Sequence, residues 1–321
     1  MLLVQFLWTL ACLSLLKVSS FVVPHLFVFF RSSKLATRFP PRSYALITGG
    51  NSGIGFSFAK SLAKQGFNLV IVGHESQTLS QAHSFLASNY HVEVIPIQAD
   101  LSKMDVATDG VFKVIEVLTR KQIIISVLIN NAGYMDYVDF LEVSYFEDIQ
   151  ALNTMGISTL RLSKFVMNQM KEAGIKGVVI TVSSICSQIS LPYSSVYSAV
   201  KSFTDVLSRG IYWEAKRFGI DVCCVRPGPV NTNFLNRVEK NVKSQYFRRI
   251  FALFGTTPDI VAWFSLKAVG FPFIYDFHVG FIGFLTGLSL KFVDNLFFNV
   301  VLGFCYRIRW LFPCPLNTKQ L

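Results

Sequence analysis

The feature that most constrains this chain is a repeat of short apolar runs, each closed by a turn and followed by a helical stretch. The runs lie at residues 44–47, 68–72, 92–97, 126–129, 178–182 and 221–225. They are short, bounded by turn residues and rich in Val, Ile and Leu, as strands buried on both faces are. Segments of roughly 10–30 residues with helical periodicity follow each run. Strands alternating with helices predict an α/β fold, a parallel sheet covered on both faces. With 321 residues the chain is long enough for one large domain of this kind.

The two ends differ from this middle. Hydrophobic side chains make up 52% of the sequence and charged ones 15%, below the ~25% of ordinary soluble domains, so part of the surface is expected to face lipid. Residues 2–30 are apolar except for a few positions, chiefly Lys17 and His25. Such a stretch exceeds the roughly 20 residues that cross a bilayer core, and a membrane anchor is expected over 1–30. A signal peptide is the competing reading, because Val18, Ser19 and Ser20 resemble a small-residue cleavage site. Arg31, Lys34, Arg38 and Arg42 then form a basic linker over 31–42, which by the positive-inside tendency places the rest of the chain on the cytosolic side. From 271 to 312 the chain is apolar again. Lys291, Asp294, Asn295 and Asn299 draw one polar stripe there, so this segment either lies in a membrane interface or packs as a buried helix.

The net charge of +11 suits an anionic membrane surface or a phosphorylated ligand. The basic residues gather beside hydrophobic sequence rather than among aromatics on one face, which argues against nucleic acid. None of the six cysteines has zinc-like spacing, so no metal site is expected, and a reducing compartment fits. The absence of an N-x-[ST] sequon agrees with a body outside the secretory lumen.

The first strand runs into Thr48, Gly49, Gly50, Asn51, Ser52, Gly53, Ile54 and Gly55. A glycine-rich turn between strand and helix brings backbone N–H groups and a helix N-terminus to a pyrophosphate. Gly49 permits the tight turn, Gly53 the approach of phosphate, and Gly55 close helix–strand packing. Asp100, followed by Leu101, ends the third strand, where its carboxylate would accept from an adenine N–H. Asn131, Ala132 and Gly133 end the fourth. These positions share the carboxyl ends of successive strands, where open α/β sheets bind ligands.

Beyond the fifth strand come Ser184 and, thirteen residues on, Tyr197. Tyr197 and Lys201, four apart, share one helix face. An ammonium near a phenol of ordinary pKa about 10 is expected to pull that value down toward working pH. Tyr197 would then pass a proton to a carbonyl oxygen as hydride arrives from a cofactor, while Ser184 holds the same oxygen. Asn153, in the preceding helix, would order a water linking Lys201 to solvent.

With these residues on the page, the chain resembles the short-chain dehydrogenase/reductase family over about residues 43–235, with weaker similarity to about 310. The resemblance implies a doubly wound Rossmann fold, NAD(P)-linked carbonyl chemistry, and a Ser184, Tyr197, Lys201 triad with Asn153 as helper. It also implies that Pro227, Gly228, Val230 and Thr232 close over the nicotinamide. Val200 departs from the family's usual Ser beside the lysine. NAD-preferring members carry an acid at the end of the second strand. Gly73 stands there instead, followed by His74, so NADP(H) is expected, with NAD(H) not excluded. Within the family the chain looks like the membrane-bound 17β-hydroxysteroid dehydrogenase and very-long-chain 3-oxoacyl-CoA reductase group. It also looks like 3-ketosphinganine reductases. That implies a lipid ketone as substrate, a possible homodimer, and the endoplasmic reticulum membrane with the catalytic domain facing the cytosol. A catalytically silent nucleotide-binding scaffold is the reading of another class. The organisation expected is an anchor at 1–30, the linker at 31–42, the Rossmann-type domain at 43–275 with a basic, apolar substrate lid at about 233–256, and apolar membrane-associated helices at 276–321.

Overall fold

The computed structural model describes residues 2–31, 35–105, 108–232, 253, 255–270 and 276–290. Most of the expected lid, residues 233–252 and 254, lies outside them, as does the polar-striped segment from 291 onward. Among the described residues the centre is a seven-stranded sheet in the order β3-β2-β1-β4-β5-β6-β7. The strands are β1 (Tyr44–Thr48), β2 (Asn68–Gly73), β3 (Val94–Gln98), β4 (Ile125–Asn130), β5 (Gly177–Val182), β6 (Ile220–Pro227) and β7 (Asp276–Val279). All neighbours pair in parallel. The order reverses between β1 and β4, which opens a crevice at their carboxyl ends.

Helices α2 (Gly53–Ala63), α3 (Ser76–Asn89), α4 (Gly110–Arg120), α5 (Tyr145–Ala151), α6 (Ser158–Glu172), α7 (Ser195–Lys216) and α8 (Pro258–Ala268) cover the sheet. Period-two alternation splits each strand between two cores. Leu69 and Ile71 join Phe58, Leu62, Val261 and Phe277 on one face. Their neighbour Val70 joins Leu46, Leu128, Leu162 and Tyr212 on the other.

Three expectations bear on the edges of this body. The boundary at 275/276 falls at a strand, not at the start of helices. Asp276–Val279 pairs with the β6 edge, with Val225 opposite Phe277 and Arg226 opposite His278. Asp276, Phe277, His278 and Val279 alternate polar and apolar, but over too few residues to read as a strand; edge pairing makes them one. Helix α9 (Phe281–Ser289) follows.

The second concerns the expected anchor, which is α1 (Leu2–Phe30), a 29-residue helix. No helix among the described residues is long and apolar enough to cross a membrane. Part of α1 packs on the body. Phe21 and Val28 are buried. The Phe21 ring lies 5.3 Å from those of His278 and Phe284, and His25 stacks on Phe277 at 4.2 Å.

The third concerns the basic linker, of whose cations Arg31 and Arg38 are tied to protein, while Arg42 is exposed and Lys34 lies outside the described residues. Arg31 donates to the carbonyls of Lys267 and Val269 at 3.2 and 2.9 Å, at the end of α8. Lys267 returns a bond of 2.7 Å to the Phe29 carbonyl at the end of α1. Each helix thus places a cation at the other's negative C-terminus. Arg38 pairs with Asp221, which also takes Lys216 at 2.8 Å.

Within the body, Arg226 on β6 is held by Asp205 of α7, Nε to Oδ1 at 2.9 Å and Nη2 to Oδ2 at 2.8 Å, with both side chains buried. Asp205→Ala leaves the guanidinium buried without its counter-ion and is expected to cost about 3–5 kcal/mol. Asp205→Leu combined with Arg226→Met removes both charges and is expected to cost far less. Urea unfolding of the three proteins checks this; an equal loss in both variants would contradict it.

Candidate active site

The crevice begins at one hydroxyl. Thr48 Oγ1, at the end of β1, accepts from the backbone N–H of Asn131 and of Ala132 at 2.9 and 3.0 Å. The Asn131 amide returns bonds of 3.0 and 3.3 Å to the carbonyls of Thr48 and Gly49. The ends of β1 and β4 are therefore cross-tied where the chain turns off in opposite directions. Gly49 and Gly53 have φ of +63° and +52°, a region that favours glycine. A Cβ on Gly55 would overlap the Gly49 carbonyl oxygen, so the first turn of α2 packs on the loop at backbone distance. Ser52 sits at the N-cap of α2, and Ile54 packs on the core. The N-terminal amides of α2 thus open on the crevice. Across it, Thr232 lies over the turn, since a Cβ on Gly53 would come within 3.3 Å of its methyl group. The segment between begins with Gly228, whose N–H donates to Val279 O at 2.9 Å, and Val230 bridges to Thr256. Pro227 closes β6.

The end of β2 shows why no acid stands there. Asn51 donates to Thr78 Oγ1 at 2.7 Å, and its amide group would lie 2.9 Å from any Cβ at Gly73. His74 is exposed, with Nε2 3.6 Å from Asp100 Oδ2. Asp100 Oδ1 accepts from Ser102 N and Oγ at 3.0 and 2.7 Å. Burial works against the Asp100 carboxylate, but the Ser102 bonds and the His74 and Lys103 cations together hold its pKa below the ordinary value. Leu101 is buried beside it.

Tyr197 and Lys201 lie on α7, Ser184 just beyond β5. Ser184 Oγ accepts from Cys186 N at 3.1 Å, starting a single 3₁₀ turn, and hydrogen-bonds the Tyr197 side chain. Lys201 Nζ lies 5.8 Å from the Tyr197 ring centroid and donates to Val182 O at 2.8 Å. Asn153 falls in a π-helical turn, Leu152–Ile157, between α5 and α6, a distortion common at functional sites. Its amide donates to Ser102 O at 2.9 Å, tying this turn to the loop after β3. A Cβ on Gly133 would press on the Met155 side chain at 3.1 Å and touch Lys201 Nζ at 3.5 Å, so this loop packs closely against the triad. The three triad positions, Asn153 and the glycine turn are thus gathered at the carboxyl end of the sheet.

The expected pull of Lys201 on Tyr197 is not found. Burial pushes the phenol well above its usual pKa, the nearby Cys186 adds to this, and only the Ser184 bond opposes it. Burial also draws Lys201 from 10.5 down to about 8. Desolvation outweighs an ammonium that is itself bonded to a backbone carbonyl. At neutral pH Tyr197 therefore holds its proton, as a donor to a carbonyl oxygen must.

Sequence reasoning missed three neighbours. Cys186 is buried beside the triad. Gln188 Oε1 accepts from His278 Nε2 at 2.7 Å, linking the turn after Ser184 to β7. The Asp205–Arg226 pair braces the strand that leads to Pro227. None has a spacing that marks it, because each partner comes from a distant element. Beside Tyr197 a cleft is lined by Tyr134, Asp136, Phe140, Asp148, Met155 and Tyr193, among others. No cluster suited to a metal occurs among the described residues.

Fold and site together define a dinucleotide-type α/β protein with a tyrosine–lysine pair at its crevice. The chain belongs to the short chain dehydrogenase family, whose model matches residues 43–243. It is 32% identical over 190 residues to very-long-chain 3-oxoacyl-CoA reductase-A of Danio rerio, covering 57% of each chain. A very-long-chain 3-oxoacyl-CoA reductase-like protein of Arabidopsis thaliana is 30% identical over 71% of this chain and 70% of its own. The chain spans about three fifths of the length of the first curated relatives it matches. Among solved structures, a short-chain dehydrogenase from Sphingobium yanoikuyae in complex with NADPH is similar, with 26% identity and a TM-score of 0.60, over 68% of this chain and 81% of that one.

The Lys201 shift predicts a pH signature. Between pH 8 and 10.5 the unfolded chain holds a proton that the folded chain has released. Over that window the stability of the wild type relative to Lys201→Met is expected to rise with pH, and to stay flat below it. Calorimetric unfolding of both proteins from pH 6.5 to 10 checks this; a constant difference would contradict it.

Proposed function

We propose that this chain is an NADPH-dependent reductase of lipid ketones, with Tyr197 as general acid and Ser184, Lys201 and Asn153 as its partners. The observation that carries this reading is the bonded Ser184–Tyr197 pair, with Lys201 beside it, at the crevice that holds the glycine turn. The cradle fits a dinucleotide: Gly49 and Gly53 have turn conformations, Gly55 leaves no room for a side chain, and the α2 N-terminus opens on it. When bound, the nicotinamide supplies hydride to the carbonyl carbon. Ser184 holds the carbonyl oxygen, and Tyr197, whose buried phenol keeps its proton, delivers it to that oxygen. Lys201 stabilises the phenolate that remains and returns a proton to it, itself reprotonated from solvent on the Asn153 side. Thr48, Asn51, Ser52, Ile54, Asn131, Ala132 and Gly133 shape the cofactor side. Asp100 and Leu101 border the adenine, and Pro227, Gly228, Val230 and Thr232 border the nicotinamide.

The names of the relatives support a 3-oxoacyl-CoA as substrate; a 17-ketosteroid rests on the family resemblance alone. A second reading has its own observation. Asp136, Glu147 and Asp148 line the cleft beside Tyr197. That acidic wall repels the phosphates of coenzyme A and favours a ketone with a neighbouring ammonium, as in 3-ketosphinganine. Asp148→Asn would then lower kcat/KM for the amino ketone and raise it for the acyl thioester; the opposite pattern supports the thioester.

The domain at 43–275 extends through β7, and α1 anchors the chain to the endoplasmic reticulum membrane, with the body on the cytosolic side. Exposed Leu160 on α6 and Phe203, Val206 and Trp213 on α7 offer a face for a homodimer.

Tyr197→Phe keeps the ring and removes the proton, so turnover is expected to fall by roughly 10²–10⁴-fold with folding intact. Unchanged turnover on an accepted ketone would exclude the mechanism. The wild type should prefer NADPH to NADH, and His74→Arg should tighten NADPH binding by adding a permanent planar cation. Titration of both cofactors by fluorescence checks this, and a clear NADH preference would overturn it.

A further inference from the structure

Parallel strands put the crevice, the cleft and the loop after β4 at one end of the sheet. Helix α1 has a direction relative to that end. Phe21 meets His278 near the carboxyl end of β7, and Gly287 of α9. His25 meets Phe277, one residue earlier in β7. Arg31 meets the last carbonyls of α8, before β7 begins. The helix therefore runs antiparallel to β7, and its first residues leave the body at the carboxyl end. Lys17, Ser19 and Ser20 are exposed just beyond Phe21, and Trp8, Leu15 and Leu16 are exposed further on. Residues 2–16 amount to roughly 22 Å of helix at 1.5 Å per residue. That is enough to enter a bilayer without crossing it, with Lys17 at headgroup level.

The same end carries a second apolar feature. Ser144 and Glu147 form a capping box, the Ser144 hydroxyl accepting from Glu147 N at 3.2 Å and the Glu147 carboxylate accepting from Ser144 N at 3.1 Å. This fixes the first turn of α5 and presents Tyr145 and Phe146 outward at 81% and 69% exposure. Leu141, at 88%, and Phe140 stand beside them. A cluster of this kind, held by a rigid cap and left in solvent, marks an interaction surface. The residues around it are acidic: Asp139, Glu142, Glu147 and Asp148.

From these two features we infer that the rim formed by Leu141, Tyr145 and Phe146 docks on a zwitterionic lipid bilayer, so that the active-site cleft opens toward the membrane. The helix that enters the bilayer leaves from the end that carries the rim. Aromatic side chains suit the headgroup layer, and the acidic neighbours disfavour an anionic surface. Phe140 lines the cleft and belongs to the rim, so a lipid ketone would pass from the acyl layer to Tyr197 without crossing water.

The inference rests on the membrane reading above, but its test needs no turnover. The full chain carrying Phe146→Trp, and separately His91→Trp at the amino end of the sheet, is reconstituted in vesicles of phosphatidylcholine brominated on the acyl chain near the headgroup. The wild type supplies the background of its own tryptophans. Extra quenching is expected to be roughly threefold or more greater for position 146 than for position 91, and not to grow when phosphatidylserine is added. Equal quenching at both positions in a chain that binds vesicles would overturn the docked orientation and leave α1 as the membrane element alone. Position 146 shielded from lipid in a concentration-dependent way would assign the rim to a second copy of the chain and also overturn it. Failure to bind vesicles at all would remove both readings. Loss of ketone reduction with lipid contact intact would count against the enzymatic reading only.

Discussion

The hydroxyl of Thr48 is the point on which the rest of the site depends. It accepts two successive backbone N–H groups from Asn131 and Ala132, which no longer pair along the strand. A side chain thereby continues the β1–β4 pairing past the end of both strands, and the Asn131 amide closes the loop in return. From that knot one half of the chain winds toward β3 and the other toward β7. The turn with its glycines, the loop carrying Gly133, and Lys201 behind that loop all take their positions from it. Removing the hydroxyl would leave two part-buried donors without this partner, at the crevice itself.

Much of the fold was legible because a parallel sheet buried on both faces leaves a strong trace: near-continuous Val, Ile and Leu in β2, β4 and β5. β7 was not, since a strand that exists by pairing with an edge needs no pattern of its own. The direction in which α1 packs was equally hidden; its apolar composition gives no sign that Phe21 and His25 fit rings on β7. In the site, residue types at a fixed spacing on one element, as with Tyr197 and Lys201, could be read. Relations between elements could not. Asn51 filling the space at Gly73, the π-turn at Asn153, and Gln188 meeting His278 all depend on three-dimensional neighbours.

The protonation of the site shows how burial and charge compete. A lysine four residues from a tyrosine suggests a lowered phenol pKa, and in water that would follow. Inside the protein the ammonium pays its own desolvation, falls to about 8, and spends one donor on Val182 O. What reaches Tyr197 is too little to offset burial. The consequence suits reduction better than oxidation, because a neutral phenol gives a proton and a phenolate takes one. The same desolvation makes Lys201 a cation held at some expense to stability, as groups in reactive sites often are.

The polarity of α1 decides from which end of the fold its free residues leave. Two cations fix it: Arg31 on the terminal carbonyls of α8 and Lys267 on that of Phe29. Both bonds need the C-termini of the two helices side by side, so α1 must approach from the carboxyl end of the sheet. Were it packed the other way, its free apolar residues would leave at the amino end, beside Arg42 and Glu93, on the side away from the cleft. Because the crossovers of a parallel sheet put every functional loop at the carboxyl end, one packing choice at the edge of the molecule decides what the active site looks out on. The capped, exposed rim at Leu141, Tyr145 and Phe146 is then apolar for a reason that the catalytic chemistry alone does not supply.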